Sequence, residues 1–149
     1  MVKAIAILMV EDNPIDIRLT QECFRGNKIG NNLCVVNNDA DLLAFLGQQG
    51  KYAQSSYPDV ILFSLALLLQ WGYSIFAEIK QHSVLGHIPL VVLTAFDGEE
   101  NALPDLSNID LCVSKPLTLK KIMTIVEHIE EFGLRVIKMA ADDALRSMH

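Results

Sequence analysis

The chain has no excess of positive charge: 12 Lys and Arg stand against 18 Asp and Glu in 149 residues, a formal net charge of −6. Binding to nucleic acid draws on clustered Lys and Arg that displace condensed counterions. With no basic stripe and no zinc-finger spacing, nucleic acid is not an expected partner. Cysteine is scarce as well. Cys23, Cys34 and Cys112 are odd in number, widely spaced and set near apolar residues, which reads as reduced core thiols of a cytoplasmic protein without a disulfide. Long apolar runs are missing. The N-terminal run Ala4-Ile5-Ala6-Ile7-Leu8-Met9-Val10 is interrupted by Glu11 and Asp12, too short to span a bilayer and without a small-residue cleavage site, so no membrane association is expected. His82, His87, His128 and His149 share no metal-ligand spacing. There is no internal repeat and no low-complexity segment.

Half of the residues are apolar, enough to bury one sizeable core and too few for two domains. Short apolar runs alternate with segments of helical period, the mark of β/α units around a parallel sheet covered on both faces. Strands are expected at about 4–10, 32–36, 59–64, 89–94 and 109–113. Asn13 is a good N-cap and Pro14 suits the first helical position, so a helix runs to about Arg25. Asn38 or Asp39 opens a second helix that ends by Gly50, and a third runs from about Gly72 to His82. A fourth starts near Asp97-Gly98-Glu99-Glu100, but Pro104 follows within a few residues, so this element should be short or irregular. The last, from about Thr118 to Phe132, aligns Ile122, Ile125, Val126 and Ile129 on one stripe. Residues 1–132 thus form one globular unit. Residues 133–149 are an apolar extension whose Ile137, Ala141, Leu145 and Met148 recur at near-helical spacing, expected to pack or to dimerise.

Chemistry gathers at four strand ends. Glu11-Asp12 follow the first strand, Ser64 ends Val60-Ile61-Leu62-Phe63, Thr94 ends Pro89-Leu90-Val91-Val92-Leu93, and Lys115-Pro116 follow Leu111-Cys112-Val113. In open α/β sheets ligands bind outside the carboxyl ends of the strands, where these residues lie. Two nucleotide-binding readings share the α/β pattern but need a glycine-rich phosphate loop after the first strand. Glu11-Asp12-Asn13-Pro14 instead puts two negative charges there.

This order and spacing resembles the receiver domain of two-component response regulators over about residues 4–132. Within that superfamily the chain is most similar to the stand-alone regulators that accompany cyanobacterial phytochromes. The residues that carry this are Phe45-Leu46-Gly47-Gln48-Gln49-Gly50-Lys51-Tyr52, Ala77-Glu78-Ile79-Lys80-Gln81, Ile88-Pro89-Leu90-Val91-Val92-Leu93-Thr94 and Ile129-Glu130-Glu131-Phe132-Gly133-Leu134. The resemblance implies a doubly wound, flavodoxin-like sheet of five parallel strands in the order 2-1-3-4-5 with five helices. It also implies roles. An aspartate that takes phosphate from phosphohistidine would stand where Ser64 does, the acid pair Glu11 and Asp12 would share Mg²⁺ with it, Thr94 is the switch hydroxyl and Lys115 the site lysine.

Ser64 departs from that pattern. A serine hydroxyl is protonated near neutral pH, is a poorer ligand than carboxylate for a hard cation, and would form a stable ester instead of an acyl phosphate. Leu67-Leu68-Leu69 replaces the polar, proline-bearing turn usual in the family, and Cys112 stands where a switch aromatic is usual. The expectation is a degenerate, non-enzymatic receiver with Mg²⁺ bound weakly at best, Lys115 leaning on the acid pair in its place. It would act through a protein partner, a histidine kinase, photoreceptor or another receiver, as a homo- or hetero-dimer. Leu68, Trp71, Ile137 and Leu145 are the candidate partner surface. The alternatives are a working receiver that uses Ser64 as acceptor, and a small hydrolase pairing Ser64 with Lys115, against which stands the lack of a nucleophile elbow.

Overall fold

The computed structural model describes residues 5–27, 30–103, 105 and 107–129. Five parallel strands, β1 (Ile5–Val10), β2 (Asn31–Val36), β3 (Val60–Ser64), β4 (Leu90–Thr94) and β5 (Leu111–Ser114), form one sheet in the order β2-β1-β3-β4-β5. The expected fold and strand order are both present. β3 and β4 are buried at every residue, which is why they read as continuous apolar runs instead of alternating ones.

Alternate residues along each strand feed two cores. Leu8, Val10, Ile61, Phe63, Leu90 and Val92 point to one face, and Ile7, Met9, Val60, Leu62, Val91 and Leu93 to the other. Helix α1 (Pro14–Gly26) contributes Phe24 to the second core, and α5, helical through 119–129, contributes Ile122 and Ile125. The first core is closed by α2 (Asp39–Leu46), α3 (Leu65–Trp71) and α4 (Tyr73–Gln81). At the amino ends of the strands the Asp59 carboxylate accepts the Ala6 N–H at 2.9 Å and that of Asp110 accepts the Leu90 N–H at 2.7 Å. Asp59 therefore pins the edge opposite the strand ends that carry Ser64 and Glu11.

One expectation changes. The leucine run after Ser64, standing where the family has a polar turn, is α3, beginning directly after the last residue of β3. Leu65, Leu67 and Leu68 are buried to 2 % exposure or less, and Leu69 alone points outward. Burial of each such side chain contributes roughly 1.5–3 kcal/mol, which outweighs any tendency of the segment to stay in solvent. Leu68 is a core residue and is withdrawn from the candidate partner surface. Gly72, at φ +89° and ψ 167°, then breaks the chain between α3 and α4 in a conformation open to glycine almost alone. Between β4 and β5 the described residues form only a short 3-10 helix, Glu99–Ala102, in keeping with the short or irregular element expected there. Ile137, Leu145 and the rest of the 133–149 extension lie outside the described residues.

Candidate functional site

Strand order reverses at β1, whose carboxyl end lies beside that of β3, and the sequence-predicted residues converge there. Val10 is paired with Phe63, so Glu11 and Ser64 leave adjacent strands at the same level; Ser64 is paired with Leu93 and Thr94 with Ser114. The next residue, Lys115, donates its N–H to the Thr94 carbonyl at 2.7 Å. The site is thus assembled by the register of four strands, and Glu11, Ser64 and Thr94 are each at 1 % exposure.

Glu11 is an ionisable group in the protein interior, and its partners explain how. One carboxylate oxygen accepts the Asp12 and Asn13 N–H groups at 3.1 and 3.4 Å, and the other accepts the Lys115 ammonium at 2.8 Å. Lys115 makes a second ion pair, also at 2.8 Å, with Asp16. Burial pulls the Lys115 pKa down, but the hydrogen bonds and charges of Asp16 and Glu11 outweigh it and hold the pKa above its ordinary value. One ammonium therefore ties together the end of β1, the first turn of α1 and the turn after β5. The expected acid pair is split in this arrangement: Glu11 is buried under Lys115, whereas Asp12 is exposed.

Asp16 is a residue of the candidate site that was not foreseen from the sequence. Asn13 caps α1 through its side-chain oxygen, accepting from Ile15 and Asp16 N–H at 2.9 and 3.2 Å. An acid three residues after an N-cap lies in the first turn, close to the strand ends, and that spacing was the available signal.

Ser64 sits at the centre without a partner. Its Oγ is buried and forms no hydrogen bond, and although Ser64 is the N-cap of α3, its side chain does no capping. Most buried hydroxyls are satisfied, so this orphan is an exception. Beside it Phe63 meets Trp71 edge to face, centroids 6.1 Å apart, and Trp71 packs half-buried against the core. Cys112 lies in β5 opposite Val92 as a half-buried free thiol, its pKa raised by burial and by the nearby Glu100 charge.

The response regulator receiver domain model matches residues 7–127. Response regulator Rcp1 of Synechocystis sp. is 35 % identical over 136 residues, which covers 91 % of this chain and 92 % of Rcp1. Among solved structures, the phosphorylated cyanobacterial phytochrome response regulator RcpA superposes with a TM-score of 0.66 at 34 % identity, covering 89 % of this chain and 95 % of RcpA. The bacteriophytochrome response regulator AtBRR does so at 0.73 and 26 %, covering 86 % and 94 %.

Proposed function

The chain belongs to the response regulator receiver family, and from that premise we propose that it is a degenerate receiver: a phosphorylation-independent interaction module of two-component signalling. The observation that carries this is Ser64, an unpartnered hydroxyl at 1 % exposure in the place of the family's phosphoacceptor aspartate. A hydroxyl is a nucleophile only when a base takes its proton, and no hydrogen bond reaches this one. The packing of α3 supports the same reading, because Leu65, Leu67 and Leu68, which follow the acceptor position, are themselves buried in the core.

The residues present do not fit a divalent cation well. Rcp1 has been solved in an Mn²⁺-bound form; here the carboxylate expected at position 64 is a hydroxyl, and the buried Glu11 already accepts the Lys115 ammonium at 2.8 Å. A cation would have to displace that ammonium from the only deeply placed carboxylate of the acid pair, and Mg²⁺ surrenders its waters reluctantly. The hydrolase reading of Ser64 and Lys115 fares no better. A lysine base needs a lowered pKa and a hydrogen bond to its serine, whereas the pKa of Lys115 is raised and its ammonium points to Glu11 and Asp16.

The partners of this module are protein surfaces of the same signalling class, a histidine kinase, a phytochrome-type photoreceptor or another receiver, in keeping with RcpA, a similar chain that is a cyanobacterial phytochrome response regulator. It would act in the cytoplasm, constitutively or by competing with a phosphorylatable receiver. Among the described residues no helix is long and apolar enough to cross a membrane. Self-association would fall to residues 133–149.

The test is incubation of the full chain with acetyl phosphate and Mg²⁺, read by intact mass. No phosphate adduct is expected. A hydroxylamine-sensitive adduct would show a working acyl-phosphate acceptor, and a hydroxylamine-resistant one on Ser64 would favour the unorthodox active receiver; either overturns the proposal.

A further inference from the structure

Lys115 lies between two residues that a second lysine grips. The Lys121 ammonium donates to the Ser114 carbonyl at 2.8 Å, to the Ser114 hydroxyl at 3.0 Å and to the Pro116 carbonyl at 3.3 Å. An ammonium carries three donors and no acceptor, so all three are directed at the turn that contains Lys115. α5 aims it: Lys121 lies in the first turn, where its own N–H is accepted by the Thr118 hydroxyl at 3.3 Å. These acceptors are uncharged, so Lys121 is not placed there to neutralise an acid. What the contacts achieve is to fix the backbone on both sides of Lys115.

From this geometry we infer that Lys121 is a positioning residue for Lys115, holding the Ser114–Pro116 turn so that the Lys115 ammonium meets Glu11 and Asp16 together. A lysine side chain gives up considerable rotamer freedom when its ammonium is held, and for partly exposed pairs that loss consumes most of the gain. Anchoring the backbone at the root of the side chain lowers the cost, since fewer degrees of freedom remain to be frozen when the two ion pairs close. Charge-assisted hydrogen bonds to carbonyls are about twice as strong as neutral ones, which suits them to this purpose. The inference concerns where Lys115 is held and stands whether or not Ser64 can be phosphorylated.

The test is the chemical reactivity of the Lys115 amine in the full chain. Reductive methylation with formaldehyde and cyanoborohydride needs the neutral, accessible amine, and peptide mass spectrometry reads each lysine separately, with exposed Lys120 as internal reference. In the wild type Lys115 should label far more slowly than Lys120. Lys121→Met should raise Lys115 labelling several-fold, Lys121→Gln should do so to a smaller degree, and Lys121→Arg, whose guanidinium can reach the same carbonyls, should keep it slow. Gly86→Ala, which strains the distant turn after α4, serves as the control for general loosening. Lys115 labelling that stays at the wild-type rate in both Lys121→Met and Lys121→Gln, or that rises equally in Gly86→Ala, would overturn the inference.

Discussion

Replacing Ser64 by alanine should stabilise the protein, an unusual direction for a change at the centre of a candidate site. The Ser64 Oγ is buried and makes no hydrogen bond to another protein group, so folding strips the hydroxyl of bulk water without a protein hydrogen bond in return. That penalty is about 1–3 kcal/mol for a buried unsatisfied polar group. Alanine removes it. The opposing terms are small: the void left is one atom in size, and no cap is lost because the Ser64 side chain does not accept a hydrogen bond from the first turn of α3. The net expectation is a gain of about 0.5–2 kcal/mol, or a rise in Tm of roughly 1–8 °C at the ~2–4 °C per kcal/mol typical of chains of about this size. Urea unfolding of wild type and Ser64→Ala, followed through the single Trp71 and checked by far-UV circular dichroism, measures it directly. A loss of more than about 1 kcal/mol would refute the reasoning, because it would mean that the hydroxyl has a partner whose hydrogen bond is worth keeping.

Lys115→Met should destabilise by about 3 kcal/mol, at the low end of the ~3–5 typical of broken buried pairs because Asp16 keeps some solvent, as it leaves Glu11 charged and unpaired. Since the Lys115 pKa is held above 10.5 in the folded state, the lysine's contribution is complete below about that pH and is lost as pH rises through the folded value. The stability gap between wild type and Lys115→Met should therefore be flat from neutral pH to about 10.5 and narrow above it; a gap that widened there would contradict the ion-pair assignment. Leu68→Ala should cost about 2–5 kcal/mol in urea unfolding, as for a core leucine, and a change under 1 kcal/mol would return Leu68 to the surface. Gly86→Ala should lower Tm by several degrees, because an added Cβ would lie 2.4 Å from the Lys80 carbonyl oxygen, a backbone atom that cannot step aside; an unchanged Tm would show that the turn yields freely.

What could be seen in the sequence follows from how local each signal is. Asn13-Pro14 encodes the start of α1 within two residues, and the buried runs of β3 and β4 advertise a two-sided sheet, so strand ends, and with them Glu11, Ser64, Thr94 and Lys115, could be placed before any contact was known. α3 could not. It starts on the final residue of a strand with no capping hydrogen bond, and a leucine run of that length is equally compatible with a core helix and an exposed loop until the packing partner is present. Asp16 and Lys121 were missed for another reason: each acts at long or medium range through a flexible side chain, Asp16 across 99 residues to Lys115 and Lys121 back to the turn seven residues before it.

On the proposed reading, the same contacts explain how the site would persist without the family's usual acceptor. A carboxylate on β3 would have joined Glu11 and Asp16 near the single Lys115 ammonium, an excess of negative charge that calls for an external cation. With serine there, one ammonium is shared between the two acids it touches, and the cluster carries one negative charge fewer than it would with a carboxylate. The remaining cost is the orphaned hydroxyl, smaller than that of an unbalanced buried charge. On the proposed reading, serine at position 64 and retention of Lys115 are parts of one arrangement: the lysine that in an active receiver would pair with the phosphoryl group here ties β1, α1 and the turn after β5 together, and a partner would meet a surface that does not depend on phosphate.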